Sequence, residues 1–239
     1  MTEKSSIETI DLVCDDIDSL LNDAWNLCDM LTGDIKMQKY LRMDFDSVRD
    51  QYSNDLAGSM ELASISTYRK DIFGVYVFGQ NGGRYKSNYY SFKSEDQRET
   101  TWYKAIAGSR ETTWFPSHEG SFIVRSSISD NFITVGQPVM DKASGMVNGI
   151  VAADIKEDVI TQKIKHSLSN GVICIIDQEG SILFRSNAGN DLHYPIDISP
   201  SLVSHILEST GTAVGKSMVV PDSGYLVVSR TLMNSNWRI

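Results

Sequence analysis

The feature that most constrains this chain is a heptad-like run near its start. Ile7, Ile10, Cys14, Ile17, Leu21, Ala24, Cys28 and Leu31 alternate by three and four residues for more than three heptads, which predicts one long amphipathic helix. Val13, Leu20 and Leu27 widen the apolar stripe, as expected of a helix lying along a globular body. Strict a/d spacing also fits a seam between two copies of the chain. A homodimer through the N-terminal helix, with Cys14 and Cys28 on its seam, therefore stands beside a purely intramolecular helix. Thr32-Gly33-Asp34 marks the stop.

Beyond the helix the pattern alternates between helical and strand periods. Phe45, Val48, Tyr52, Leu56 and Met60 predict a second helix over about 44–64, with these side chains in the core. The β-branched and aromatic run 72–79 leads into Asn81-Gly82-Gly83 and back through 84–87, a β-hairpin. A short helix over 97–107 and a strand at 112–115 follow. The runs 131–140 and 146–155, joined by Asp141-Lys142-Ala143-Ser144-Gly145, read as an antiparallel pair. A connector helix over 155–168 then divides the chain. Strands at 171–177 and 181–185, a helix at 199–208 capped by Ser199, and strands at 215–220 and 224–231 complete a smaller unit, with Trp237-Arg238-Ile239 opening one more strand. The expected class is α+β, with residues 1–42 as helix and linker, 43–166 as a larger module with the connector, and 167–239 as a smaller module.

Composition excludes several functions. A net charge of −9 argues against nucleic acid, which needs a concentrated basic face. No apolar run reaches the roughly 20 residues that cross a bilayer, and the start lacks the basic-then-apolar order of a signal peptide. Membrane attachment is expected only through segments outside this sequence. Cys14, Cys28 and Cys174 form no CxxC or Cys/His cluster, so neither metal nor cofactor is expected. His118, His166, His193 and His205 are scattered, and GxSxG, HExxH and P-loop motifs are absent. An enzyme is not expected.

Two stretches carry the candidate chemistry. Trp102 and Tyr103 open a helix, and the apolar run 149–153 ends in Asp154. Aromatic faces and a lone carboxylate both attract an ammonium group, so together they suit a small cation or zwitterion. Arg98, Tyr85 and His118 are further candidates. For the aromatics the competing reading is core packing, and for Asp154 a strand-end turn.

Asp96, Arg98, Trp102, Tyr103 and Ala105 resemble the D-x-R-x-x-x-W-Y-x-A helix of double-Cache (tandem PAS-like) sensor domains of bacterial transmembrane receptors. Pro138, Val139, Asp141, Gly145, Gly149 and Asp154 are similar to that family's paired strands, and 172–186 with Asn236-Trp237-Arg238-Ile239 to its second module. The resemblance implies two PAS-like modules, each a central antiparallel sheet flanked by helices, behind a long N-terminal helix. It implies an extracytoplasmic ligand site in the larger, membrane-distal module, under the helix bearing the Trp-Tyr pair. The ligand would be an amine, an amino acid or a small carboxylate. The output would be a sensor histidine kinase, else a chemoreceptor or diguanylate cyclase. Amino-acid-binding members carry arginine two residues before the tryptophan, where this chain has Thr100, so a carboxylate grip would fall to Arg98, Arg84 or Arg125. The alternative is a ligand-free module for dimerisation or for sensing a partner protein.

Overall fold

The computed structural model describes residues 3–67, 69–125, 130–167, 171–177, 179–188, 199–209, 218–220, 227–232 and 237–239. The chain divides into two compact units, Asp23–Glu157 and Met1–Asn22 with Asp158–Ile239.

Helix α1 (Glu3–Gly33) forms where the periodicity places it. Its stripe, including Val13, Ile17, Leu21, Leu27 and Leu31, is buried in the chain's own fold, and Cys14 and Cys28 are fully buried with it. Ile7 and Ile10, at the start of the stripe, are half-buried. Asp34 ends the break by capping α2 (Ile35–Leu41), its carboxylate accepting from the Met37 amide at 2.8 Å.

Helix α3 (Val48–Ser66) is capped by Ser47 and corrects one expectation. Val48, Tyr52, Leu56 and Met60 face outward, while Asn54, Gly58 and Leu62 are buried. The cause is an aromatic ring. A Cβ at Gly58 would stand 2.3 Å from Tyr85 Cδ1, so only glycine admits the ring, and Asn54 Nδ2 donates to the Tyr85 hydroxyl at 2.6 Å.

The larger unit is built on one antiparallel sheet, in the order β2-β1-β5-β4-β3. Its strands are β1 (Ile72–Gly79), β2 (Arg84–Lys86), β3 (Thr113–Glu119), β4 (Asn131–Met140) and β5 (Val147–Lys156). The hairpin β1–β2 and the pair β4–β5 are those read from the sequence, with Gly145 at φ +69° in the second turn. Strand β3 runs four residues past Phe115, across a register shift between Phe115 and His118. Helix α4 (Thr101–Gly108) follows a 3₁₀ turn at Gln97–Glu99.

The smaller unit contains most of α5 (Glu157–Ser167), α6 (Pro200–Ser209), and the antiparallel ladders of β6 (Gly171–Ile176) with β7 (Ile182–Ala188) and β8 (Met218–Val220) with β9 (Val227–Ser229). Ser199 caps α6 as expected. Arg238 forms bridges with Ile176 and Thr231, so the last residues do join strands. Within this unit the α1 carboxylates meet Arg230, whose Nη2 is 2.6 Å from Asp15 Oδ1 and 3.5 Å from Asp18 Oδ2. Leu168, Asn170, His193 and the expected strand residues 215–217 and 224–226 lie outside the described residues. Among the described residues no helix is long and apolar enough to cross a membrane.

Candidate ligand-binding site

Register decides which side chains can meet. Asp154 lies opposite Gly74 on one neighbour and Thr134 on the other, and Ala152 lies opposite Tyr76 and Gly136. Directly paired residues share a face, and the face alternates along a strand. Asp154, Thr134, Tyr76, Phe78 and Ala152 therefore share one face, which α4 covers. Gly136 permits the close approach, because a Cβ there would lie 2.3 Å from Ile106 Cδ1. Trp102 and Tyr103 enter the apolar cluster with Tyr76, Phe78 and Ile106.

Asp154 is 0% exposed. Ser121 Oγ donates to its Oδ2 at 2.6 Å and Thr134 Oγ1 to its Oδ1 at 2.7 Å. Ser121 Oγ in turn accepts from the amides of Ile123 and Val124 at 3.1 and 3.2 Å. Among the described residues no cation forms an ion pair with Asp154. Burial pushes its carboxyl up to about 6, against hydrogen bonds from Ser121, Thr134 and Tyr76 that favour the ionised form. A buried carboxylate is costly until a cation joins it.

The other candidates separate into two groups. His118 belongs with Asp154: its Nε2 is 2.9 Å from Thr134 Oγ1 and its Nδ1 2.9 Å from the Gly120 carbonyl. Its ring stacks on Phe122 at 3.6 Å, and Phe122 lies parallel to Trp102 at 6.3 Å. A line of rings thus runs from the acid to the indole. Trp102 Nε1 and the Tyr103 hydroxyl are buried with no hydrogen-bond partner among the described residues. Orphaned donors inside a fold are expensive and uncommon.

Tyr85 and Arg98 are placed elsewhere. Tyr85 lies opposite Val77, one residue out of phase with Tyr76, so it occupies the other face and donates to the Tyr40 carbonyl at 3.2 Å. Arg98 is held by Asp96 through Nε–Oδ1 at 3.0 Å and Nη2–Oδ2 at 2.7 Å, and its Nη1 donates to the Gln80 carbonyl. Arg84 stands over the Phe92 ring and Arg125 is exposed. Thr100 caps α4, accepting from the Tyr103 amide. Open clefts lie beyond the aromatic cluster. One of about 250 Å³ is lined by Phe78, Arg84, Gln97 and Arg98, and another of about 450 Å³ by Gln80, Arg98, Tyr103 and Lys104. Phe78 and Tyr103 thus belong both to the buried cluster and to a cleft wall.

Sequence reasoning missed Thr134, Ser121, Tyr76 and Phe122. Threonine is ordinary in a strand, and only the register shows that this one faces the acid. Ser121 had one local signal, its place after Gly120, which turns the chain at φ +70°.

The sheet, the covering α4 and the long first helix give the chain the double-Cache (tandem PAS-like) fold that its sequence resembles. Among solved structures the chain is similar to the ligand-binding domain of the Campylobacter jejuni chemoreceptor Tlp3 in complex with L-valine, at 14% identity and TM-score 0.59, over 98% of this chain and 91% of that one. It is also similar to the Pseudomonas aeruginosa amino acid chemoreceptor PctC with GABA, at 17% identity and TM-score 0.53 over 77% and 74%. A third is the Pseudomonas fluorescens chemoreceptor CtaA with L-valine, at 14% identity and TM-score 0.52 over 76% and 73%. No protein-family model and no curated protein sequence matches the chain.

Proposed function

We propose that this chain is the extracytoplasmic small-molecule sensing domain of a transmembrane receptor, and that its ligand places an ammonium group against Asp154. One observation carries the reading: a fully buried carboxylate, without an ion-pair partner among the described residues, shares its sheet face with Tyr76, which packs in the buried cluster that holds the orphaned donors of Trp102 and Tyr103. The ammonium would neutralise the acid, and an acceptor at the ligand's other end would take the indole N–H and phenol O–H. Amines, α-amino acids and ω-amino acids fit this pattern. A simple carboxylate fits less well, because Thr100 is a cap and Arg98 is committed to Asp96.

The ligand-binding module in this reading is the membrane-distal one, 43–166, and 167–239 is membrane-proximal. In this reading the chain itself binds ligand and carries out no catalysis. Structural neighbours that are chemoreceptors favour a chemotaxis output over the histidine kinase expected first. A homodimer through α1 remains part of the proposal, by way of its exposed Leu12 and Met30 rather than the cysteine seam. One observation favours the alternative, a module that senses a partner protein: α3 exposes Val48, Tyr52, Leu56 and Met60 as a continuous apolar face.

A thermal-shift screen against amines, amino acids and small carboxylates, run on the wild type, Asp154→Ala and Trp102→Phe, tests the reading. A ligand at about 100 times its dissociation constant adds about 2.7 kcal/mol of stability. Stabilisation by amine-bearing compounds in the wild type, lost in Asp154→Ala, is expected. Equal stabilisation by carboxylates lacking an amine, or no change in a folded protein across the panel, would overturn it.

A further inference from the structure

The contacts running outward from Asp154 need more protons than ionised Asp154 and neutral His118 supply. Asp154 Oδ1 to Thr134 Oγ1 is 2.7 Å, Thr134 Oγ1 to His118 Nε2 is 2.9 Å, and His118 Nδ1 to the Gly120 oxygen is 2.9 Å. Each is of hydrogen-bond length, so each holds one hydrogen between its two atoms. The Thr134 hydroxyl brings one and a neutral imidazole brings one, while a carboxylate and a carbonyl bring none. Three contacts would then share two hydrogens, leaving one pair of atoms with lone pairs face to face.

One further proton completes the chain in either of two arrangements. Placed on Asp154, it points to Thr134 Oγ1, and Thr134 turns its own hydrogen to His118 Nε2. Placed on His118, it makes an imidazolium that donates from both nitrogens, and Thr134 donates to the carboxylate. Two short proton shifts, from Asp154 to Thr134 Oγ1 and from Thr134 Oγ1 to His118 Nε2, interconvert them without moving a heavy atom.

We propose that Asp154 and His118 hold one proton in common through Thr134, changing charge as a unit, and that a cationic ligand binds by displacing this proton. The second half rests on the sensing reading above, whereas the shared proton does not. Burial supports the sharing, since it raises the carboxyl to about 6 and lowers the imidazole from its usual value, bringing two proton affinities together. The other titratable groups facing the pair are Lys93, which favours ionised Asp154 and opposes charge on His118, the Tyr76 phenol on β1, and the Cys28 thiol on α1, which burial keeps neutral.

His118 is in this scheme a positioning residue. It sets the charge of Asp154 without touching the ligand and, being half-buried, passes the displaced proton to water. Cation binding then releases a proton, and affinity rises up to about tenfold per pH unit below the midpoint of the pair.

Nuclear magnetic resonance of the ligand-free chain tests the sharing. In the wild type, the His118 ring nitrogens and the Asp154 carboxyl carbon are expected to titrate with one midpoint. In Thr134→Val, which keeps the shape and removes the hydroxyl, the two midpoints should separate by about one pH unit or more. Separate midpoints in the wild type, or a common midpoint unchanged in Thr134→Val, would overturn the proposal. Should Thr134→Val fail to fold, Asp154→Asn serves, because its carboxamide donates to Thr134 as the protonated acid would. His118 should then be neutral at pH 7 with its hydrogen on Nδ1; any other protonation state there overturns the proposal. No ligand enters these measurements, so their failure is distinguishable from failure of the ligand screen.

Discussion

Gly136 and Ile106 meet where β4 passes beneath α4, with Ile106 Cδ1 2.3 Å from the position that a Gly136 Cβ would take. The contact fixes how deeply α4 seats its aromatic pair. Gly136→Ala is expected to cost about 1–3 kcal/mol, because both elements are packed and neither can yield cheaply. Combining it with Ile106→Val, which withdraws the intruding methyl, should recover part of the loss. Urea denaturation of the two single variants and the double variant measures the coupling.

Asp154 should leave a signature in stability against pH. Its folded carboxyl is raised to about 6 from an ordinary 3.8, so between those values the native state holds a proton that the unfolded chain has lost. Stability contributed by this group therefore falls as pH rises from about 4 to about 6 and is level above, a change on the order of 1–3 kcal/mol. Asp154→Asn removes the slope. The check is the difference between wild-type and Asn denaturation free energies across that window, and a rise with pH would contradict the sign.

Tyr85 serves the fold from the far face of the sheet. Removing its hydroxyl in Tyr85→Phe leaves Asn54 Nδ2 without its acceptor and should cost about 1–2 kcal/mol. Binding of any ligand found in the screen should be unchanged within error. Calorimetric titration of the folded variant separates these outcomes.

Arg230 ties β9 to the first part of α1. Its side chain is 7% exposed, against 6% for Asp18, and it also reaches Asp15 and the Asp11 carbonyl. Arg230→Ala removes the cation that faces the buried Asp18 carboxylate and should cost about 2–4 kcal/mol. The loss should shrink in an Asp18→Asn background, as thermal denaturation of the two pairs of proteins will measure.

Much of the fold was legible because periodicity reports a face. The stripe from Ile7 to Leu31 announced α1, and the turn Asp141–Gly145 announced the β4–β5 pair. Periodicity does not say what covers the face, so α3 was read inside out: its interior was spoken for by the Tyr85 ring, invisible from 31 residues away. Pro116 concealed the second half of β3, since proline argues against a strand unless it lies at an edge or bulge. Asp154 stood out as an acid closing an apolar run. Thr134 could not, because whether a threonine meets that acid depends on register, which is settled by the pairing of whole strands. The same parity removed Tyr85 from the site.

The outermost strands of the large sheet are poor templates for another chain. Strand β2 has three residues and carries Arg84 and Lys86, while β3 carries Pro116, which has no N–H to offer, inside a register shift. Short length, charge, proline and a shifted ladder are the devices that discourage edge-to-edge growth. Self-association through this sheet should therefore not propagate into sheet-extended aggregates, so that the larger unit can be held at high concentration without seeding fibres.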